Sequence, residues 1–240
     1  MRGPEYGETW AYESIVGALP GIDLSTRAAV ALQFLVFETA ILALAAVYGL
    51  WTAAIAGTVA VVVATAGSVE MLRIGRFVRR EAVPESYRRL LFGSSIEVVL
   101  AVLAYVALVT HLFVFDPRYA EVPLVERLLG PEPPILVVYL VLLVLWDVCY
   151  RIGTGWWASV AALWRSYRYR FDSETAWALQ RADLETMGFG LLQLALVPFL
   201  LPYPVLLTAV VGHVGAVTVV TGLSVLLLRR GVRRDGVTPT

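Results

Sequence analysis

The chain has 240 residues, of which 59% are apolar and 16% charged, against roughly 45–50% and about 25% in ordinary soluble domains. Nineteen basic and nineteen acidic residues cancel, so the basic excess of a nucleic-acid-binding domain is absent and no nucleic-acid partner is expected. Cys149 is the sole cysteine, which excludes an internal disulfide and a cysteine-built zinc site.

The N-terminal segment carries Glu5, Glu8 and Glu13 and no basic stretch followed by an apolar run, so no cleavable signal peptide is expected. Within it, residues 8–19 can form a short helix with Ala11, Ile15, Ala18 and Leu19 on one face, ended by Pro20-Gly21. Such a helix is expected to lie on the inner leaflet. Ser25 then stands where a cap for the next helix is needed.

Crossing a hydrocarbon core of roughly 30 Å takes about 20 mostly apolar residues. Six stretches approach that length, at residues 28–50, 52–72, 95–115, 135–154, 184–201 and 205–228. The expected fold is therefore all-α: a polytopic transmembrane helical bundle of six spans over residues 28–228, between a cytoplasmic segment at 1–27 and an arginine-rich tail at 229–240. Pro198 lies inside the fifth stretch and predicts a kink or an early end. Pro202-Tyr203-Pro204 supplies the turn between the last two.

Every basic residue is an arginine, and cytoplasmic loops retain positive charge. With six spans, sixteen arginines fall on one side and only Arg118 and Arg127 on the other, which predicts both termini in the cytoplasm. The inner clusters include Arg73, Arg76, Arg79, Arg80, Arg165 and Arg168, read here as contacts to anionic lipid headgroups. Residues 172–186 suggest a second interfacial helix, capped by Asp172 or Ser173 and anchored by Trp177. The proline-rich outer loop at 116–134 is read as solvated.

Ionisable groups at membrane depth are costly and therefore informative. Glu38 falls near the midplane, Asp147 and Arg151 stand i,i+4 on one helix, and Gln33 and Gln193 lie in the same inner half. This candidate polar cluster is either a structural lock, in which Asp147 and Arg151 neutralise each other, or the lining of a solute or proton path. Glu70 and Glu97 are expected to pair with inner arginines. His111 and His213 fall in the outer half and are the candidates for sharing a metal with a loop carboxylate, but no HxxxH or HExxH spacing supports a metal site, and no metal or other cofactor is expected. Ser159 lacks the Gly-x-Ser-Gly turn of rhomboid-like proteases, and no paired glutamates, Walker A run or dinucleotide fingerprint is present.

Small residues recur at every fourth position, as Ala56, Ala60, Ala64 and Ser68 and again as Thr208, Gly212 and Ala216. Such stripes let helices approach closely, within the bundle or between two copies in a homo-oligomer. The arginine-only basic set, Gly7-Glu8-Thr9-Trp10 and the run Gly17-Ala18-Leu19-Pro20-Gly21-Ile22 resemble small multi-pass membrane proteins of halophilic archaea. That resemblance implies a plasma-membrane location and transfers no activity and no site residue. The sequence thus points to a non-enzymatic membrane protein, with small-solute or ion transport first. A structural or regulatory module holding anionic lipid or a cytoplasmic partner on its arginine-rich face comes second, and an intramembrane enzyme last.

Overall fold

The computed structural model describes residues 9–11, 25–80 and 83–231. Most of the expected interfacial helix at 8–19 and the tail beyond residue 231 lie outside the described residues. Among the described residues the regular structure is helical, with no strand.

Helix α1 (Thr26–Tyr48) starts at Ser25, whose hydroxyl accepts from the Ala28 amide at 3.2 Å, and ends at Gly49. Gly49 has φ 70°, a left-handed conformation that favours glycine and lets the chain reverse at once into α2 (Trp51–Arg80). A short helix, α3 (Glu85–Phe92), leads into α4 (Ile96–Thr110), which continues through a π-helical turn, His111–Phe115, and a last helical turn, Asp116–Tyr119. Helix α5 (Leu124–Leu129) lies in the following loop. Then come α6 (Ile135–Arg168), α7 (Ser173–Leu192) and α8 (Pro204–Arg230). Beyond Leu192, α7 passes through a 3-10 turn, Gln193–Leu196, and one more helical turn, Val197–Leu200. Pro198 accounts for that change, because its ring clashes with the carbonyl four residues back and it donates no hydrogen bond.

Among the described residues, six helices are long and apolar enough to cross a membrane. Their limits differ from the sequence reading in one consistent way. At about 1.5 Å per residue, the 30 residues of α2 and the 34 of α6 measure about 45 and 51 Å, well beyond a hydrocarbon core of roughly 30 Å. Residues 172–186 form no separate interfacial helix but the first turns of α7, capped as expected by Asp172, which accepts from the Thr175 amide at 2.9 Å. The overhangs gather at one end of the bundle, where α2 and α6 finish, α7 begins and α8 finishes. A core cluster there includes Met71, Val78, Leu91, Ala161 and Leu179.

Trp10 is buried in this cluster, donates its indole N–H to the Met71 carbonyl at 2.9 Å and meets Phe92 edge-on. At that residue the N-terminal segment is inserted into the bundle, not laid on its surface. The small-residue stripe of α2 also turns inward: Ala64 and Ser68 are buried, Ala64 among Val144 and Val148.

At the opposite end the loop is more structured than expected. Asp116 is buried, and its carboxylate accepts from the Leu124 amide at 2.6 Å, which fixes the start of α5. The Tyr203 hydroxyl donates to the Val122 carbonyl at 3.1 Å.

Candidate functional site

Three of the five residues expected to form one polar cluster meet. Arg151 and Asp147 pair at 3.1 Å on α6, and Gln33 of α1 donates its side-chain amide to the other carboxylate oxygen. The second guanidinium arm of Arg151 donates to the Met71 sulfur at 3.5 Å. Backbone approach makes this fit: a Cβ on Gly67 of α2 would lie 2.6 Å from both the Arg151 Cβ and the Phe189 ring. Only a glycine lets α2, α6 and α7 come this close.

Glu38 stands apart. Thr58 of α2 donates to one of its oxygens at 2.8 Å, and the other is buried without a partner. It lies five residues, or about 7.5 Å of helix, beyond Gln33. Gln193 is buried in the 3-10 turn, between α2 and α8 and a turn past Phe189. None of Glu38, Asp147 and Arg151 lines either of the two cavities described below. Glu70 and Glu97, expected beside arginines, are buried without an ion pair among the described residues, Glu70 beside the Thr186 hydroxyl.

Arg165 requires a correction. Placed at lipid headgroups by the sequence reading, it is 1% exposed and sits in the bundle. One guanidinium nitrogen reaches both Asp183 oxygens, at 3.0 and 2.8 Å, and the other lies 3.4 Å from the Tyr87 hydroxyl. Ser224 donates to Asp183 at 2.6 Å and lies 2.8 Å from Ser166, whose hydroxyl is 3.2 Å from the arginine. Residues of α3, α6, α7 and α8 thus close on one another. A buried arginine needs such partners because desolvation penalises its charge heavily.

Level with this network, the histidines part company. Ser224 stands beside Arg165 although it is 20 residues into α8 and Arg165 is 30 into α6, so α8 starts about 15 Å deeper than α6. His213 consequently packs against Trp156, past Arg151 toward the arginine-rich end, with ring centroids 6.0 Å apart. His111 stacks on Phe115 at the other end. The two are not at one depth, and no group of three or more His, Cys, Asp or Glu among the described residues is arranged to hold a metal.

The remaining headgroup candidates behave otherwise. Arg73, Arg76, Arg79, Arg80 and Arg168 are exposed. Arg73, Arg76 and Arg80 line one wall of a groove of about 340 Å³, and Arg181 and Glu185 of α7 line the other, with Phe77 and Trp177 between them. Glu185 bridges the walls, 2.7 Å from Arg73 and 3.5 Å from Arg181. Four arginines against one glutamate leave the groove at a formal charge of +3. Trp177 is 64% exposed at its edge.

A family of unknown function, DUF7530, matches the chain over residues 5–224. The chain belongs to that family. No curated protein and no solved structure matches it.

The residues missed by the sequence reading are Asp183, Tyr87, Ser166 and Ser224 of the buried network, and Arg181 with Trp177 as a groove wall. A signal for the groove was there: positions 73, 76, 77 and 80 lie on one helical face, as do 177, 181 and 185. Stopping the second span at Leu72 hid it.

Proposed function

We propose that this family member is an integral membrane protein whose six long helices span the bilayer with the arginine-rich end and both termini in the cytoplasm, and that its groove holds phosphate headgroups of anionic inner-leaflet lipids. The observation that carries this reading is the groove, +3 in formal charge, opening where the apolar run of α2 stops at Leu72 and Arg73 begins. That position is headgroup depth, where arginine attracts anionic lipid and tryptophan is enriched. Arginine also forks onto phosphate oxygens better than lysine does. Its role is lipid binding at a membrane module, with no catalytic group assigned. An ion path draws no comparable support, since Asp147 and Arg151 close on each other and on Gln33, and Glu38 takes its bond from Thr58.

Lipid co-purification and native mass spectrometry test the groove. The wild type should retain phosphatidylglycerol over phosphatidylcholine, and replacing Arg76, Arg80 and Arg181 by Gln should weaken that preference by about 3 kcal/mol, near 100-fold, at roughly 1 kcal/mol per arginine. Inorganic phosphate should fail to displace the lipid; displacement would identify a soluble phosphate as the ligand, and equal retention by wild type and variant would overturn the site. Orientation has its own test. A cysteine at Thr240 in a Cys149→Ala background should be labelled from the cytoplasmic side alone, and labelling from outside removes the six-span topology.

A further inference from the structure

We infer that the end of the bundle opposite the arginine-lined groove carries a second lipid site, an apolar recess that holds one hydrocarbon chain of a membrane lipid. The inference rests on the membrane-spanning reading but not on the headgroup groove. A cavity of about 170 Å³ lies between α1, α2, α5 and α6, and each of its lining residues is Ala, Gly, Val, Leu or Ile. Water is a poor occupant, because a buried water needs two to four polar partners, whereas dry apolar cavities take apolar ligands.

The recess is built from both sides. Ala53, Ala56 and Ala60 of α2 keep one wall low, and each is only partly covered, so the wall is reachable from outside the bundle. Leu124 and Leu128 of α5 form the roof. That roof is tied down by the Asp116 bond to the Leu124 amide and by the Tyr203 bond to Val122, so its position does not depend on an occupant.

Depth selects the occupant. Gly57 lies eight residues from the turn at Gly49, about 12 Å along the helix, inside an outer half-layer of roughly 15 Å. The medium at that depth is lipid chain. The lining contains no aromatic ring to stack on a planar ligand and no donor to orient a polar one, which leaves shape and flexibility as the only requirements. A bent acyl or isoprenoid chain meets both.

The full chain in phosphatidylcholine vesicles, with a trace of lipid carrying a mid-chain diazirine, provides the test. Irradiation should place adducts on the peptide containing Leu128 and on that containing Ala56, above the level on lipid-facing Val106. Ala53→Leu with Ala56→Leu should lower the cavity adducts by about tenfold, what displacing two methylenes from an apolar site is worth, and leave the Val106 adducts unchanged. If that variant does not fold, Leu128→Phe fills the recess from the roof and should act in the same direction. Cavity adducts no more frequent than those at Val106, or unaffected by filling, would overturn the site. Replacing Arg76, Arg80 and Arg181 should leave the cavity adducts as they are, so the two sites fail separately.

Discussion

Arg151 and Arg165 lie fourteen residues apart on α6, both 1% exposed and both paired with an aspartate, yet they hold the molecule in different ways. Asp147 comes from the same helix, one turn back, so the first pair closes locally, and Gln33 bonds it to α1. Asp183 comes from α7, and the second pair also engages Tyr87 of α3 and Ser224 of α8. The first arrangement neutralises a charge within one helix. The second joins four helices at the arginine-rich end of the bundle.

The comparison breaks most visibly at the joint. Arg165→Met leaves Asp183 buried without its cation and should cost about 3–5 kcal/mol, while adding Asp183→Leu should restore much of it. Thermal unfolding of both variants in detergent decides between a joint and an incidental pair; a single variant as stable as wild type would contradict the network. Gly67→Ala comes next. Its new methyl would lie 2.6 Å from both Arg151 and Phe189, so α2 has to move, at about 2–3 kcal/mol, the upper part of the range for an overfilled core.

Arg151→Met should cost less, about 1–2 kcal/mol, because Asp147 keeps its bond from Gln33 and its side chain is 15% exposed. A cycle with Gln33→Leu measures that support directly. If Arg151→Met alone proves as damaging as Arg165→Met, the two pairs do not differ as described.

Much of this contrast follows from what a sequence displays. The pair of Asp147 with Arg151 was legible because i,i+4 spacing fixes contact within a helix without knowledge of its neighbours. The same holds for the Ser25 and Asp172 caps and for the six apolar runs. Arg165 with Asp183 was not legible, because contact across helices depends on how far each is slid along the next. The same missing quantity misplaced His213: equal depth was assumed for helices that start about 15 Å apart. Sizing each span to the roughly 20 residues that cross a hydrocarbon core also shortened α2 and α6, since the helical pattern continues where the helix ends cover one another. The recess under α5 depended on a loop read as solvated, which the buried Asp116 carboxylate and the Tyr203 hydroxyl hold in place.

The smallest effect lies at the exposed start of α7 and separates a local cap from both buried pairs. The Asp172 carboxylate accepts from the Thr175 amide, and that backbone bond holds its carboxyl below the ordinary aspartate range. A group whose folded value is depressed stabilises the fold fully above its unfolded value, about 3.9, and loses that contribution as the pH falls through the folded value. Asp172→Ala should therefore melt below wild type at neutral pH, and the gap should narrow as the pH drops below about 4. Asp172→Asn supplies the control, because asparagine caps a helix without titrating. Its own stability should lack this pH-dependent component. A gap between wild type and Asp172→Ala that stays constant down to acid would show that the side chain acts through packing rather than through its charge, and would remove α7's cap from the local interactions that sequence alone can place.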